Sequence, residues 1–129
     1  MRRLFFSPVL MISLVLVVII SCEKNKFENT CGVDNPVEEL AWLRDQIAYI
    51  EQMDAEASQY YYFRMAKYNG VTVFLPGNCN PVINMVFVVL DCSGERIGII
   101  GDGGDMISWD ELTEMQLIWH PENSACNFQ

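Results

Sequence analysis

The dipeptide Asn69-Gly70 stands between two runs of aromatic and β-branched residues, in "YYYFRMAKYNGVTVFL". A two-residue hairpin turn of the primed kind needs φ > 0 at both central positions, and Asn-Gly tolerates this with the least strain. The turn fixes a register. Tyr68 faces Val71, Ala66 faces Val73 and Met65 faces Phe74. An isolated hairpin is marginal in water, so the rest of the chain must bring further strands and a covering layer.

The covering layer reads from "DNPVEELAWLRDQIAYIEQMDAEA". Asn35 is a good N-cap, Pro36 suits the first helical position and Glu38 lies three after the cap. Leu40, Leu43, Ile47 and Ile50 make one apolar stripe, flanked by Trp42 and Tyr49. The spacing predicts one amphipathic helix of about 20 residues with its stripe on the core. After the breaker-rich "PGNCNP", the run "VINMVFVVLD" predicts a central strand over 82–91. "CSGE" turns it and "RIGII" returns. "GDGGD", at 101–105, reads as a flexible loop. "SWDE" is a capping box from Ser108, and Trp109, Leu112, Met115 or Gln116, and Trp119 follow at helical spacing up to Pro121. The expected architecture is α+β: an N-terminal helix, a four-stranded antiparallel meander and a C-terminal helix, with the helices on one face.

The start of the chain is different. Arg2 and Arg3 precede an apolar stretch that ends at "IISC", and charged sequence follows at once. A basic start, an apolar middle and a small residue at the cut describe an export signal. The uninterrupted apolar part is shorter than the ~20 residues of a spanning helix. Ile19-Ile20-Ser21-Cys22 resembles a bacterial lipobox. That resemblance implies cleavage before Cys22 and acylation of its sulfur. Two or more acyl chains anchor stably where one does not. The expected organisation is a lipoprotein signal at 1–21, a lipidated tether at 22–34 and a single domain at 35–129. The expected place is the bacterial cell envelope, on the outer membrane.

Loss of residues 1–21 leaves 108 of the 129 residues and moves the formal net charge from −9 to −11, because Arg2 and Arg3 go with the leader. That length suits one domain with a modest core. Such acidity repels phosphate backbones, so nucleic acid is not expected as a partner. With Cys22 acylated, Cys31, Cys79, Cys92 and Cys126 remain. An even count in a small exported domain reads as two disulfides. A strand across 82–91 would hold Cys79 and Cys92 over ~20 Å apart, against the ~4.4–6.8 Å between Cα atoms that a bridge needs. In a meander, Cys92 lies at the Asn69-Gly70 end and Cys79 at the other. Cys31 falls at the former end because the helix finishes where the first strand starts. The preferred pairs are Cys31–Cys92 and Cys79–Cys126.

Few residues invite chemistry. His120, the single histidine, has no orienting partner nearby in sequence and reads as exposed at a helix end. No G-x-S-x-G is present. Asp102 and Asp105 are the one calcium candidate, as hard oxygen ligands on a glycine loop. Their spacing lacks the EF-hand pattern, and the glycines serve a turn equally well. No metal or cofactor is therefore expected. Tyr60, Tyr61, Tyr62 and Phe63 offer rings for stacking a sugar or peptide, but strand alternation sends at least two of them into the core.

"CGVDNPVEELAWL", the "YNGVTVF" hairpin, "DCSGE", the Gly-Asp-Gly loop and the late cysteine resemble small uncharacterised lipoproteins of Bacteroidetes. The resemblance covers most of residues 22–129. It implies an exported, anchored, disulfide-bearing domain and assigns no activity. Members of that group often carry a cysteine soon after the "CSGE" turn, whereas "RIGII" has none. The expectation is a non-enzymatic envelope lipoprotein that binds a protein or glycan partner. The alternative is a small proteinaceous inhibitor of an envelope or extracellular enzyme.

Overall fold

A computed structural model describes residues 30–128. The expected signal at 1–21, Cys22 and most of the expected tether at 22–34 lie outside the described residues. The domain is α+β, with short helices before one antiparallel five-stranded sheet. The helices are α1 (Pro36–Glu39), α2 (Ala41–Glu51) and α3 (Ala55–Ser58). The strands are β1 (Tyr61–Tyr68), β2 (Val71–Asn78), β3 (Val88–Leu90), β4 (Arg96–Ile99) and β5 (Leu112–Trp119), and their spatial order is β4-β3-β2-β1-β5.

The hairpin forms in the expected register, with Tyr68 opposite Val71, Ala66 opposite Val73 and Met65 opposite Phe74. Asn69 and Gly70 take φ of 50° and 78°, as a primed turn requires. Alternation then sorts the side chains. Phe63, Met65 and Phe74 point to one face and pack with Leu43, Ile47 and Ile50 of α2. Ala66, Val73 and Leu75 point to the other, with Val89, Ile107 and Leu112. β4 and β5 lie at opposite edges, so the connection 100–111 must cross the sheet. It covers this second face through Ile107, which sits where a Cβ on Gly98 would otherwise stand.

Several expectations are corrected. The single N-terminal helix is three pieces. Leu40 is extended (φ −79°, ψ 109°) between α1 and α2, so that Val37 and Leu40 both reach the α2 core. Asn35 makes no side-chain cap; instead the Glu39 carboxylate accepts from the backbone N–H of Asp34 and Asn35, at 2.9 and 2.6 Å. Asp54 caps α3 through its carboxylate, which accepts from the Ala57 N–H.

The C-terminal helix is absent. Ser108 and Glu111 do form the capping box, but over a single 3₁₀ turn at Trp109–Glu111. The chain then extends as β5, because the outer side of β1 offers a ladder of unpaired backbone groups. Phe63 faces Trp119 and Tyr68 faces Leu112. The sheet therefore has five strands, with a fifth strand beside the first.

The strand expected over 82–91 shrinks to Val88–Leu90, and β2 and β3 are paired only at Phe74↔Leu90. Pro76 has no N–H to give a ladder, which thins the pairing beyond Phe74. Helix covers one face of the sheet, and the 100–111 crossing covers the other.

Two disulfides close the domain. Cys31 is joined to Cys92 and Cys79 to Cys126, with Cα atoms 5.6 and 5.7 Å apart. Beside the first, the Trp42 indole N–H donates to the Cys92 carbonyl at 2.9 Å, and its ring meets Phe74 edge-on. The turn after Cys92 is held by the Asp91 carboxylate, which accepts from the Ser93 N–H, the Ser93 hydroxyl and the Glu95 N–H. The Ser93 hydroxyl first, then the backbone of Glu95, holds this carboxyl below its ordinary value.

Two turn glycines separate backbone strain from steric conflict. Gly70 has φ +78° and open space around it, whereas Gly94 has φ +82° and would place a Cβ 2.6 Å from the Trp42 ring. Gly70→Val is expected to lower stability by about 1–3 kcal/mol through strain alone. Gly94→Val adds an overpacking cost of similar size, about 1–3 kcal/mol. Urea unfolding with disulfides intact measures both; equal midpoints for the two variants would contradict the Trp42 contact.

Candidate binding surface

Residues 68–90 contain no charged side chain, in a chain with 17 acidic and 8 basic residues. Most of that stretch is buried sheet, but its middle is not. Between Cys79 and β3 the chain leaves the sheet as a loop. Asn78 and Asn80 shape its start: the Asn78 side-chain oxygen accepts from the Asn80 N–H, and that of Asn80 accepts from the Val82 N–H. The Ile83 N–H returns to the Asn80 carbonyl at 3.1 Å. These are local turns that Asn supplies without help from elsewhere.

Residues 84–86 then run on without a turn. Among the described residues, no hydrogen bond takes up their backbone N–H or C=O groups. At Phe87 the chain is caught again. Its carbonyl accepts from the Ile100 N–H at 2.8 Å, and its ring meets Trp109 edge-on at 5.2 Å. The loop is thus fixed at both ends, by the Cys79–Cys126 disulfide and by the Phe87 contacts. It presents Val82, Ile83 and Val86 to solvent, 87%, 50% and 63% exposed. These three aliphatic side chains stand outward together on one loop.

A shallow groove of about 490 Å³ lies between β4 and residues 103–106. Ile97 and Met106 give it an apolar lining and Arg96 and Asp105 a polar rim. Gly103 and Gly104 adopt φ of 95° and 61° there, so substitution at "GDGGD" meets backbone strain, contrary to its reading as a merely flexible loop. Asp102 and Asp105 are both exposed, and among the described residues no three His, Cys, Asp or Glu side chains gather as a metal site.

The other residues singled out from sequence are placed as follows. Tyr62 and Phe63 are buried. Tyr62 lies over Gly77, under Phe128 and beside the Arg64 guanidinium. Tyr61 packs against the α2 core, and the Tyr60 carbonyl accepts from the Cys79 N–H. The four rings form no shared platform. His120 is exposed, with Nδ1 2.8 Å from the Pro121 carbonyl, and it follows a strand, so no helix dipole acts on it.

Sequence reading missed the loop because a continuous apolar run reads as buried strand. The usable signals were Asn80, Asn84 and Pro76 on the strand opposite. Among the described residues, no helix is long and apolar enough to cross a membrane. No protein-family model matches the chain, and neither a curated protein nor a solved structure matches it.

The Cys79–Cys126 bridge closes a sequence separation of 47 residues and holds the loop's first end. The double variant Cys79→Ser/Cys126→Ser is expected to lose about 2–4 kcal/mol in urea unfolding. Loss of less than about 0.5 kcal/mol, the scale of a neutral surface change, would show that this bridge fixes nothing.

Proposed function

We propose that the protein is a lipid-anchored module of the bacterial cell envelope, on the outer membrane, which binds a protein or glycan partner and performs no chemistry of its own. The single observation that carries the binding reading is the fixed, uncharged loop with Val82, Ile83 and Val86 turned to solvent. Burying aliphatic side chains of this size against a partner is worth about 1.5–3 kcal/mol each when complete. The export signal, the lipobox-like "IISC" and the likeness to small Bacteroidetes lipoproteins support the anchor. Two disulfides suit an oxidising compartment.

The anchor and the loop fit together in this reading. Cys31 is tied to Cys92, whose sulfur lies 4.0 Å from the Thr72 carbonyl, at the Asn69-Gly70 end of the sheet. Nine residues from an acylated Cys22 reach at most about 32 Å. The Asn69-Gly70 end therefore stays near the lipid. The loop at 79–87 follows the far end of β2 and faces away, where a partner has access.

The test has two arms on the full chain in its native envelope. Cys22→Ala should abolish acyl labelling and leave the precursor unprocessed; continued lipidation would refute the anchor. Affinity capture after cross-linking should retain a discrete partner with the wild type and lose it with Val82→Asp. Equal retention by both would refute the loop as the binding surface.

A further inference from the structure

The loop at 82–87 carries more detail than a generic apolar patch. We propose that it enters the substrate cleft of an endopeptidase with a specificity pocket for medium-sized aliphatic side chains, and blocks that cleft. This rests on the binding-module reading above and names the partner's class.

Three observations lead there. The first is the backbone. Residues 84–86 run without a turn and leave their N–H and C=O groups without a hydrogen bond among the described residues. Such a segment seeks a strand-like partner, and main-chain pairing in a groove supplies affinity while alternate side chains fill pockets. A peptidase cleft is a groove of this kind.

The second is the side chains. Val86 is the most exposed apolar side chain in the unpaired stretch, and Ile83 and Val82 stand just before it. None is charged, and the nearest charged residues in sequence are Lys67 and Asp91. A cleft that requires a basic or acidic side chain would find none here. An aliphatic pocket would.

The third is the fixation. An ordinary substrate loses conformational freedom when it binds, at about 1–2 kcal/mol per ordered residue. Here the Cys79–Cys126 bridge and the Asn80 turns hold one end, and the Phe87–Ile100 hydrogen bond and Phe87–Trp109 contact hold the other. Most of that loss is therefore met on folding, before the enzyme arrives. Preorganisation of this kind distinguishes a tight blocker from a substrate. It also resists the local unfolding that cleavage of a flexible loop requires.

The groove between β4 and residues 103–106 adds a second contact region on the same flank, since β3 and β4 are paired and Phe87 lies against Ile100. A standard protease–inhibitor interface buries about 800 Å² per partner. The β4 groove therefore offers such an interface contacts beyond the three loop side chains.

The experiment titrates the full chain, purified in mild detergent, against elastase and subtilisin, with trypsin as the basic-specific control. Residual hydrolysis of a small chromogenic peptide is the readout. The expected result is saturable, near-equimolar inhibition of elastase or subtilisin with a dissociation constant of about 1 μM or tighter, and none of trypsin. Val86→Asp and Ile83→Asp should each weaken it by about tenfold or more, the scale of a lost apolar pocket contact. Tyr49→Ser, exposed on α2 away from the loop, should leave it unchanged. Urea midpoints of the variants show that each is folded. Inhibition of neither enzyme, or rapid cutting of the wild-type loop as an ordinary substrate, overturns the proposal. If neither is inhibited while Val82→Asp still abolishes capture of the envelope partner, the peptidase assignment falls alone and the binding module stands.

Discussion

The pairing of β1 with β2 is the interaction on which the rest of the domain depends. Eight residue pairs run from Tyr61↔Asn78 to Tyr68↔Val71 around the Asn69-Gly70 turn. Because successive side chains alternate, one register creates two apolar faces. Phe63, Met65 and Phe74 call for the α2 stripe, and Ala66, Val73 and Leu75 call for the crossing segment with Ile107. A slip of one residue would exchange the two sets and leave neither cover fitted. The outer sides of the hairpin then recruit β3 and β5 by their unpaired backbone groups.

That hierarchy explains what was legible in the sequence. The hairpin is specified locally by Asn69, Gly70 and the alternation beside them, so its register could be read directly. The bridges follow from it, since the turn puts Cys92 at one end of the sheet and Cys79 at the other. The stripe of α2 was equally visible in Leu43, Ile47 and Ile50. The break at Leu40 was not, because it serves packing of Val37 and Leu40, and the break at Asp54 is marked only by its own cap on the Ala57 N–H.

Residues 112–119 mark the limit. Trp109, Leu112, Met115 and Trp119 suit a helix by spacing, and Ser108 with Glu111 gives a true helix-start signal. The deciding influence is the open side of β1, nearly fifty residues earlier in the chain, and no local window contains it. The loop at 82–87 was hidden for the same reason. "VINMVFVVLD" looks like buried strand until Pro76, on the strand opposite, removes a donor from the ladder. The connection back from Asn78 to β3 then leaves Val82, Ile83 and Val86 facing water. Their exposure is a consequence of long-range pairing, and so is their candidacy as the functional surface.

Amide hydrogen exchange on the full chain, resolved by residue, tests this account most directly. The account predicts that the amides of β1 and β2 around Met65, Ala66, Val73 and Phe74 exchange most slowly, at the free energy of global unfolding. It predicts that residues 84–86 exchange at close to their unprotected rates. Protection of residues 84–86 equal to that of the hairpin would mean that the loop is paired strand after all. A hairpin no slower than β4 and β5 would contradict its place as the element on which the others are built.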